Sequence, residues 1–149
     1  MSKETIVRKA ARKDVDGIID VLKSIKLNNE SWEGDERWTR KAIVNFLNSN
    51  YLLLVAEVGG RIVGFVSCCV FPSFWEGEYQ GVIGDFFVHS AFQSQGVGDV
   101  LLRAAVEYAD AEGFGELHVS TEPNNTRARR LYAKYGFTEE RLLLERAGK

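Results

Sequence analysis

Residues 82–102 read VIGDFFVHSAFQSQGVGDVLL, an apolar β-rich run that passes through a glycine turn into a helical pattern. The spacing predicts a strand over 81–89 and a helix over 98–112, whose Leu101, Leu102, Ala105, Tyr108 and Ala109 recur at helical intervals. Between them, Gly96 and Gly98 remove side chains that would block a close approach to the backbone. The free N–H groups and the positive dipole end of the following helix then suit an anion such as a pyrophosphate. Two better-known glycine motifs fail on the same residues. A dinucleotide fingerprint needs a third glycine where this chain has Leu101, and a P-loop needs Gly-Lys-Ser/Thr where Gly98 is followed by Asp99 and Val100.

On the N-terminal side, Tyr51 to Val58 and Arg61 to Phe71 are strand-like runs joined by Gly59-Gly60, a dipeptide fit for a two-residue hairpin. Thr5 to Arg8 reads as a short strand. Asp14 is expected to cap a helix that aligns Val15, Ile18, Ile19, Leu22 and Ile25 on one face. The acidic stretch 28–37 reads as a loop, Trp38 to Leu47 as a second helix, and Pro72 to Gln80 as a connector. Downstream come a strand over 116–121 and a helix over 126–135 ended by Gly136, with Arg141 to Glu145 as a candidate last strand. This order describes a layered α/β arrangement over 1–149 in a single domain, without repeats.

Composition narrows the function classes. With 19 Lys+Arg against 21 Asp+Glu, the net charge of −2 gives no bulk attraction toward nucleic acid or an anionic membrane, so neither is expected as a partner. The N-terminus lacks the apolar core of a signal peptide and no run approaches about 20 apolar residues, so a cytoplasmic location is expected. Cys68 and Cys69 are adjacent and His89 and His118 are the only histidines, a set without zinc-ligand spacing, so no metal is expected.

Gln93, Gly96 and Gly98 match the Q/R-x-x-G-x-G/A motif of the GNAT acyltransferases, placed between a strand and a helix as in that superfamily. Asn125 to Tyr132 (NTRARRLY), closing on Tyr135-Gly136-Phe137, resembles the family's N-x-x-A-x-x-L-Y helix ending in G-F. The resemblance covers the chain from about the Gly59-Gly60 hairpin onward, and more weakly the segment before it. It implies a mixed sheet splayed between its fourth and fifth strands, flanked by helices, with the pantetheine arm of acetyl-CoA in the gap. By that carry-over Phe86, Phe87 and Val88 pair with pantetheine, Gln93, Ser94, Gln95, Gly96, Val97, Gly98 and Asp99 hold the pyrophosphate, and Asn125 contacts the cofactor arm.

Amide formation needs a neutral amine and eases departure of the thiolate by protonation. The resemblance implies that the thioester lies beside Asp85 and that Tyr132 sits near the sulfur, which makes Asp85 the candidate base and Tyr132 the candidate acid, with direct transfer and no acylated enzyme; the alternative for Asp85 is a substrate anchor or a structural carboxylate. A backbone N–H of the fourth strand is a candidate to polarise the thioester carbonyl. Acidic and aromatic residues, among them Glu33, Trp38 and Glu76, form the candidate acceptor site together with Asp85. Gly84 to Val88 (GDFFV) resembles the E-D-F-F-V strand of the diamine acetyltransferases, which points to a small cationic amine, polyamine-like or aminoglycoside-like. The competing readings are a protein N-terminal or lysine acetyltransferase and a non-catalytic acyl-CoA sensor. A homodimer is expected from the family, while the short ending after Phe137 departs from its usual final hairpin.

Overall fold

The computed structural model describes residues 3–27 and 29–148. Five strands, β1 (Thr5–Lys9), β2 (Leu52–Val58), β3 (Arg61–Ser73), β4 (Glu78–Val88) and β5 (Glu116–His118), lie side by side in that order. The first four are antiparallel to their neighbours and β5 joins β4 in parallel, which makes the sheet mixed. The expected α/β sheet flanked by helices is therefore present. Helices α1 (Val15–Ser24) and α2 (Glu36–Leu47) cover one face through Ile18, Val21, Ile43 and Phe46, packed on Val55, Ile62 and Phe65. Helix α3 (Val97–Ala111) covers the other face, where Leu101, Leu102 and Ala105 meet Leu54, Val63, Val66 and Ile83. Helix α4 (Thr126–Lys134) lies on the α3 side through Leu131 and Tyr132.

The splay falls where the family resemblance put it. The β4–β5 ladder holds only Gln80 to Val82 against Glu116 to His118, so Ile83 to Val88 have no strand partner on that side among the described residues. A bulge in the β3–β4 ladder sits in the same region, with Gly84 and Asp85 together facing the single residue Ser67. Gly59 and Gly60 both adopt positive φ, 58° and 81°, the backbone that a primed hairpin turn demands.

Several local expectations are corrected. Asp14 occupies the position before α1 but makes no side-chain cap; its carboxylate accepts from the Ala11 N–H at 2.8 Å and from both terminal nitrogens of Arg8, at 2.7 and 2.8 Å. A buried carboxylate gains more from a two-pronged guanidinium than from one amide. The connector 72–80 is mostly strand, because β3 and β4 extend until they meet at a tight turn around Gly77 (φ 69°). The acidic loop holds a short two-stranded ribbon, Lys26–Leu27 with Glu30–Ser31, and its Asp35 caps α2 by accepting from the Trp38 N–H at 2.7 Å; Asn28 lies outside the described residues. The strand expected over 116–121 stops at His118. The segment 141–145 forms no strand and leaves Leu142, Leu143 and Leu144 exposed. With only three residues in β5, pairing the tail there would close few hydrogen bonds against the entropy of ordering it.

Candidate active site

The bulge in β4 is fixed by one side chain: Ser67 Oγ accepts the Asp85 N–H at 2.9 Å. Its neighbours on β4 divide between the two faces. Phe86 packs with the α3 cluster and Phe87 with the α1–α2 cluster, as strand alternation requires. Burial raises the thiol of the nearby Cys69, and the charge of Asp85 adds to that rise. The Asp85 carboxyl reaches solvent, yet the protein packed around it removes enough water to lift it above the usual carboxylate range.

Tyr132 comes from α4, on the Phe86 side of β4. Its ring centroid lies 6.4 Å from that of Phe86 and 5.8 Å from that of Phe137. Burial pushes the Tyr132 hydroxyl up, further from ionisation. Asp85 thus lies on the unpaired length of β4 itself, and Tyr132 packs against that length from α4 through Phe86.

The turn after β4 is built for backbone donors. Gln93 anchors it by donating from Nε2 to the Val88 carbonyl at 3.2 Å, and Gln95 donates to the Ala91 carbonyl at 3.3 Å. Ser94 and Gly96 take left-handed φ of 64° and 83°, which turns the chain sharply into α3. Val100 is the first amide to bond within the helix, onto the Gly96 carbonyl at 3.2 Å, so the amides of Val97, Gly98 and Asp99 have no hydrogen-bond partner among the described residues. The side chain of Asp99 is engaged by Lys134 Nζ and the Tyr135 hydroxyl, which hold its carboxyl below the usual range. Its charge is thereby balanced from α4. Asn125 caps α4, its Oδ1 accepting from the Ala128 N–H at 3.2 Å.

A cavity of about 320 Å³ opens on the Phe87 side, between α1 and the ribbon. Leu22, Ile25, Leu27, Trp32 and Phe87 give it an apolar wall, and Glu30 and Glu33 supply carboxylates. Of the acceptor residues expected from sequence, Glu33 lines this cavity, whereas Trp38, Glu76 and Asp85 do not. Trp38 is 69% exposed on α2, and Glu76 belongs to the β3–β4 turn, its N–H donating to Ser73 Oγ at 3.2 Å. Sequence reading missed Ser67 and Leu27; alternation along β3 from buried Cys68 could have shown that Ser67 faces the acceptor side.

The cysteines are poor nucleophiles here. Burial pushes the Cys68 thiol up to about 11 and raises Cys69 as well. His89 is buried and accepts the Ala91 N–H on Nδ1, and His118 Nε2 lies 3.3 Å from Gln80 Oε1, so both have partners within the sheet region. No group of three or more His, Cys, Asp or Glu among the described residues could hold a metal ion, and no described helix is long and apolar enough to cross a membrane.

Comparison with known proteins agrees with this fold. An N-acetyltransferase of Archaeoglobus fulgidus is 32% identical over 85% of this chain and 88% of its own. A spermine/spermidine N(1)-acetyltransferase of Bacillus subtilis is 31% identical over 52% of this chain and 53% of its own. An aminoglycoside N-acetyltransferase solved with CoA superposes with a TM-score of 0.78 at 18% identity, covering 99% of this chain and 97% of that one. Residues 17–137 match the family described as the acetyltransferase (GNAT) family, and the chain therefore belongs to that family of acyltransferase enzymes.

Proposed function

We propose that residues 1–149 form one acetyltransferase domain that moves an acetyl group from acetyl-CoA to the primary amine of a small cationic acceptor, by direct attack within a ternary complex. The observation that carries this reading is the unpaired stretch of β4, bordered by Asp85, by Tyr132 and by the free amides at the start of α3. These features fit the donor: an unpaired strand edge can accept an amide-bearing arm, and three unclaimed N–H groups can accept a pyrophosphate. When bound, acetyl-CoA supplies the acetyl group as an activated thioester.

The chain's own residues supply the proton traffic. Asp85, its carboxyl raised by burial, takes the proton from the substrate ammonium directly or through water. The Tyr132 hydroxyl gives a proton to the departing sulfur. The bulge frees β4 backbone from regular pairing around Gly84 and Asp85, and a backbone N–H of this strand is our candidate for polarising the thioester carbonyl. The Asp85 N–H already serves Ser67, so it would have to exchange partners to take that role. Gln93 holds the turn against the end of β4, and Asn125 fixes the start of α4, which carries Tyr132. With raised thiols at Cys68 and Cys69, a covalent acyl-enzyme has no activated nucleophile to form on.

The acceptor class follows from the cavity beside Phe87. Its volume of about 320 Å³ lies at the low end of ligand pockets, which suits a polyamine-sized or single-ring amine better than a bulky aminoglycoside. Glu30 and Glu33 would receive a distal cation. Phe87 is two residues from Asp85, about 7 Å along the strand, so an amine reaching past this ring arrives at the base.

The test is acetyl-CoA-dependent release of free thiol with spermidine, an aminoglycoside and a lysine-bearing peptide, against a blank without acceptor. We expect the small amine to give the highest kcat/KM. Preference for the peptide would transfer the reading to a protein acetyltransferase, and silence with every acceptor in a protein that binds CoA would favour a sensor.

A further inference from the structure

His89, the residue after β4, is only 8% exposed, and a hydrogen-bond donor faces each of its ring nitrogens. The Ala91 N–H lies 3.0 Å from Nδ1, and Arg61 Nη2 lies 3.1 Å from Nε2. A neutral imidazole has one N–H and one acceptor nitrogen, so it can receive only one of these donors. If Nε2 received Arg61, the ring proton would sit on Nδ1 and confront the Ala91 N–H. Asp20, on α1, resolves the conflict. Its Oδ2 stands 3.2 Å from Arg61 Nη2 and 3.6 Å from His89 Nε2, where it accepts from the guanidinium and draws an N–H on Nε2 toward itself. The carboxylate thereby favours the Nε2–H tautomer, which leaves Nδ1 to accept from Ala91.

The connection from β4 to α3 depends on that choice. The His89 N–H donates to the Val63 carbonyl at 2.8 Å, the Phe92 N–H returns to the His89 carbonyl at 2.8 Å, and the Ala91 N–H completes the set on Nδ1. Phe92 is gripped by the same cluster: the Arg61 guanidinium lies 5.3 Å from its ring centroid and the imidazole packs T-shaped at 5.8 Å. One turn along α1 from Asp20, Ser24 Oγ accepts the Ser90 N–H at 3.0 Å. Gln93 follows at once, and with it the turn that leads to the amides of Val97, Gly98 and Asp99.

We propose that Asp20 is a positioning residue: by holding His89 in its Nε2–H tautomer against the competing Arg61, it anchors Ala91 and keeps the turn from Gln93 to Asp99 in the shape that receives the donor's pyrophosphate. The positioning half rests on the donor reading given above, whereas the tautomer is a property of the chain alone. Both partners of the Asp20–Arg61 pair are about half exposed, and a pair so placed contributes little to stability by itself. The value of Asp20 lies in which nitrogen of His89 it leaves unprotonated. Asp16 gives the contrast, a carboxylate also on α1 that pairs instead with Arg40 of α2.

His89 and His118 are the only histidines, so the ring nitrogens of isotope-labelled protein can be followed individually. In the full chain without ligand, at mildly alkaline pH, two-bond proton–nitrogen correlation spectra are expected to show His89 protonated on Nε2. Asp20→Ala should move that proton to Nδ1. It should also weaken CoA binding in calorimetry about fivefold, the worth of one hydrogen bond, and raise KM for acetyl-CoA by a similar factor with kcat within about twofold. Adding Arg61→Met removes the competing donor, and should return the tautomer to Nε2–H and CoA affinity to within about twofold of the parent. An exposed ion pair that only stabilised the fold would recover nothing on losing its second partner. Asp16→Ala, which breaks the other pair of α1, should change neither readout. A parent already protonated on Nδ1, a tautomer unmoved by Asp20→Ala, or a double variant no better than the single would each overturn the proposal. A tautomer that moves while CoA affinity stays the same would overturn the positioning role. A parent that binds no CoA would overturn the donor reading itself, and the spectra of Asp20→Ala would still decide whether Asp20 selects the tautomer.

Discussion

The turn from Gln93 to Gly98 and the segment from Lys26 to Gly34 both border β4, and they are built in opposite ways. The turn makes its surface from main chain: two glutamine side chains hold it to neighbouring carbonyls, two residues take left-handed φ, and the amides that follow are left free. The 26–34 segment makes its surface from side chains, with Leu27, Trp32, Glu30 and Glu33 set around a cavity by a two-residue ribbon. A backbone cradle depends on glycine geometry and tolerates little change in shape. A side-chain wall can change size and charge without disturbing the sheet. The two halves should therefore respond to mutation differently, and the residues between them, Asp85 and Tyr132, should respond most.

The largest effect is expected from Tyr132→Phe, which deletes the hydroxyl and keeps the ring packed on Phe86 and Phe137. We predict a fall in kcat of about 1,000-fold with CoA affinity within about twofold of the parent, read by steady-state thiol release and calorimetry. An unchanged kcat would remove the hydroxyl from the chemistry. Asp85→Asn comes next, with kcat/KM for the amine down about 100-fold. It should also flatten the acidic limb of the pH profile.

The same substitution has a stability signature whose sign follows from burial. Desolvation raises the folded carboxyl above its unfolded value, so its contribution to stability is fully present at pH below the unfolded value. That contribution is lost as pH rises through the raised folded value. Asp85→Asn should therefore melt higher than the parent at neutral pH, and the gap should close on acidification toward the ordinary Asp range.

Glu33→Gln should raise KM for a cationic amine about fivefold and leave KM for acetyl-CoA unchanged, the mark of a side-chain wall on the acceptor side alone. An equal change in both constants would dissolve the distinction between the halves. On the backbone side, Gly96→Ala should cost about 1–2 kcal/mol of unfolding free energy, because φ of 83° is strained for any residue with a Cβ. Gly98→Ala should stay within about 0.5 kcal/mol, since its Cβ meets only ordinary contacts at 3.7–3.8 Å. Chemical denaturation separates this pair.

The contrast also accounts for what the sequence could disclose. Glycine turns and cap residues act locally, so Gly59-Gly60, the Gly96 entry into α3 and the Gly136 exit from α4 were legible from their neighbours alone. Gln93, Gly96 and the NTRARRLY helix could be read because their spacing is set by the same local geometry. The cavity was only half legible. Glu33 lines it but Trp38 and Glu76 do not, because which acidic side chains converge depends on how α1 and the ribbon pack, and composition carries no record of that. The staple from Ser67 to the Asp85 amide joins residues on different strands and depends on a register shift, which no single-strand pattern reveals. Asp14 misled for a related reason: its position suggested a cap, while Arg8, placed by the packing of β1, offered the stronger partner.

The central claim is transfer straight from the donor to the amine, with Asp85 and Tyr132 managing the protons. It is tested most directly by initial velocities with acetyl-CoA and the responsive amine varied against each other. Intersecting double-reciprocal lines, with no acetylated protein detected by mass spectrometry, are the result predicted. Parallel lines accompanied by an acetyl group on Cys69 would contradict it.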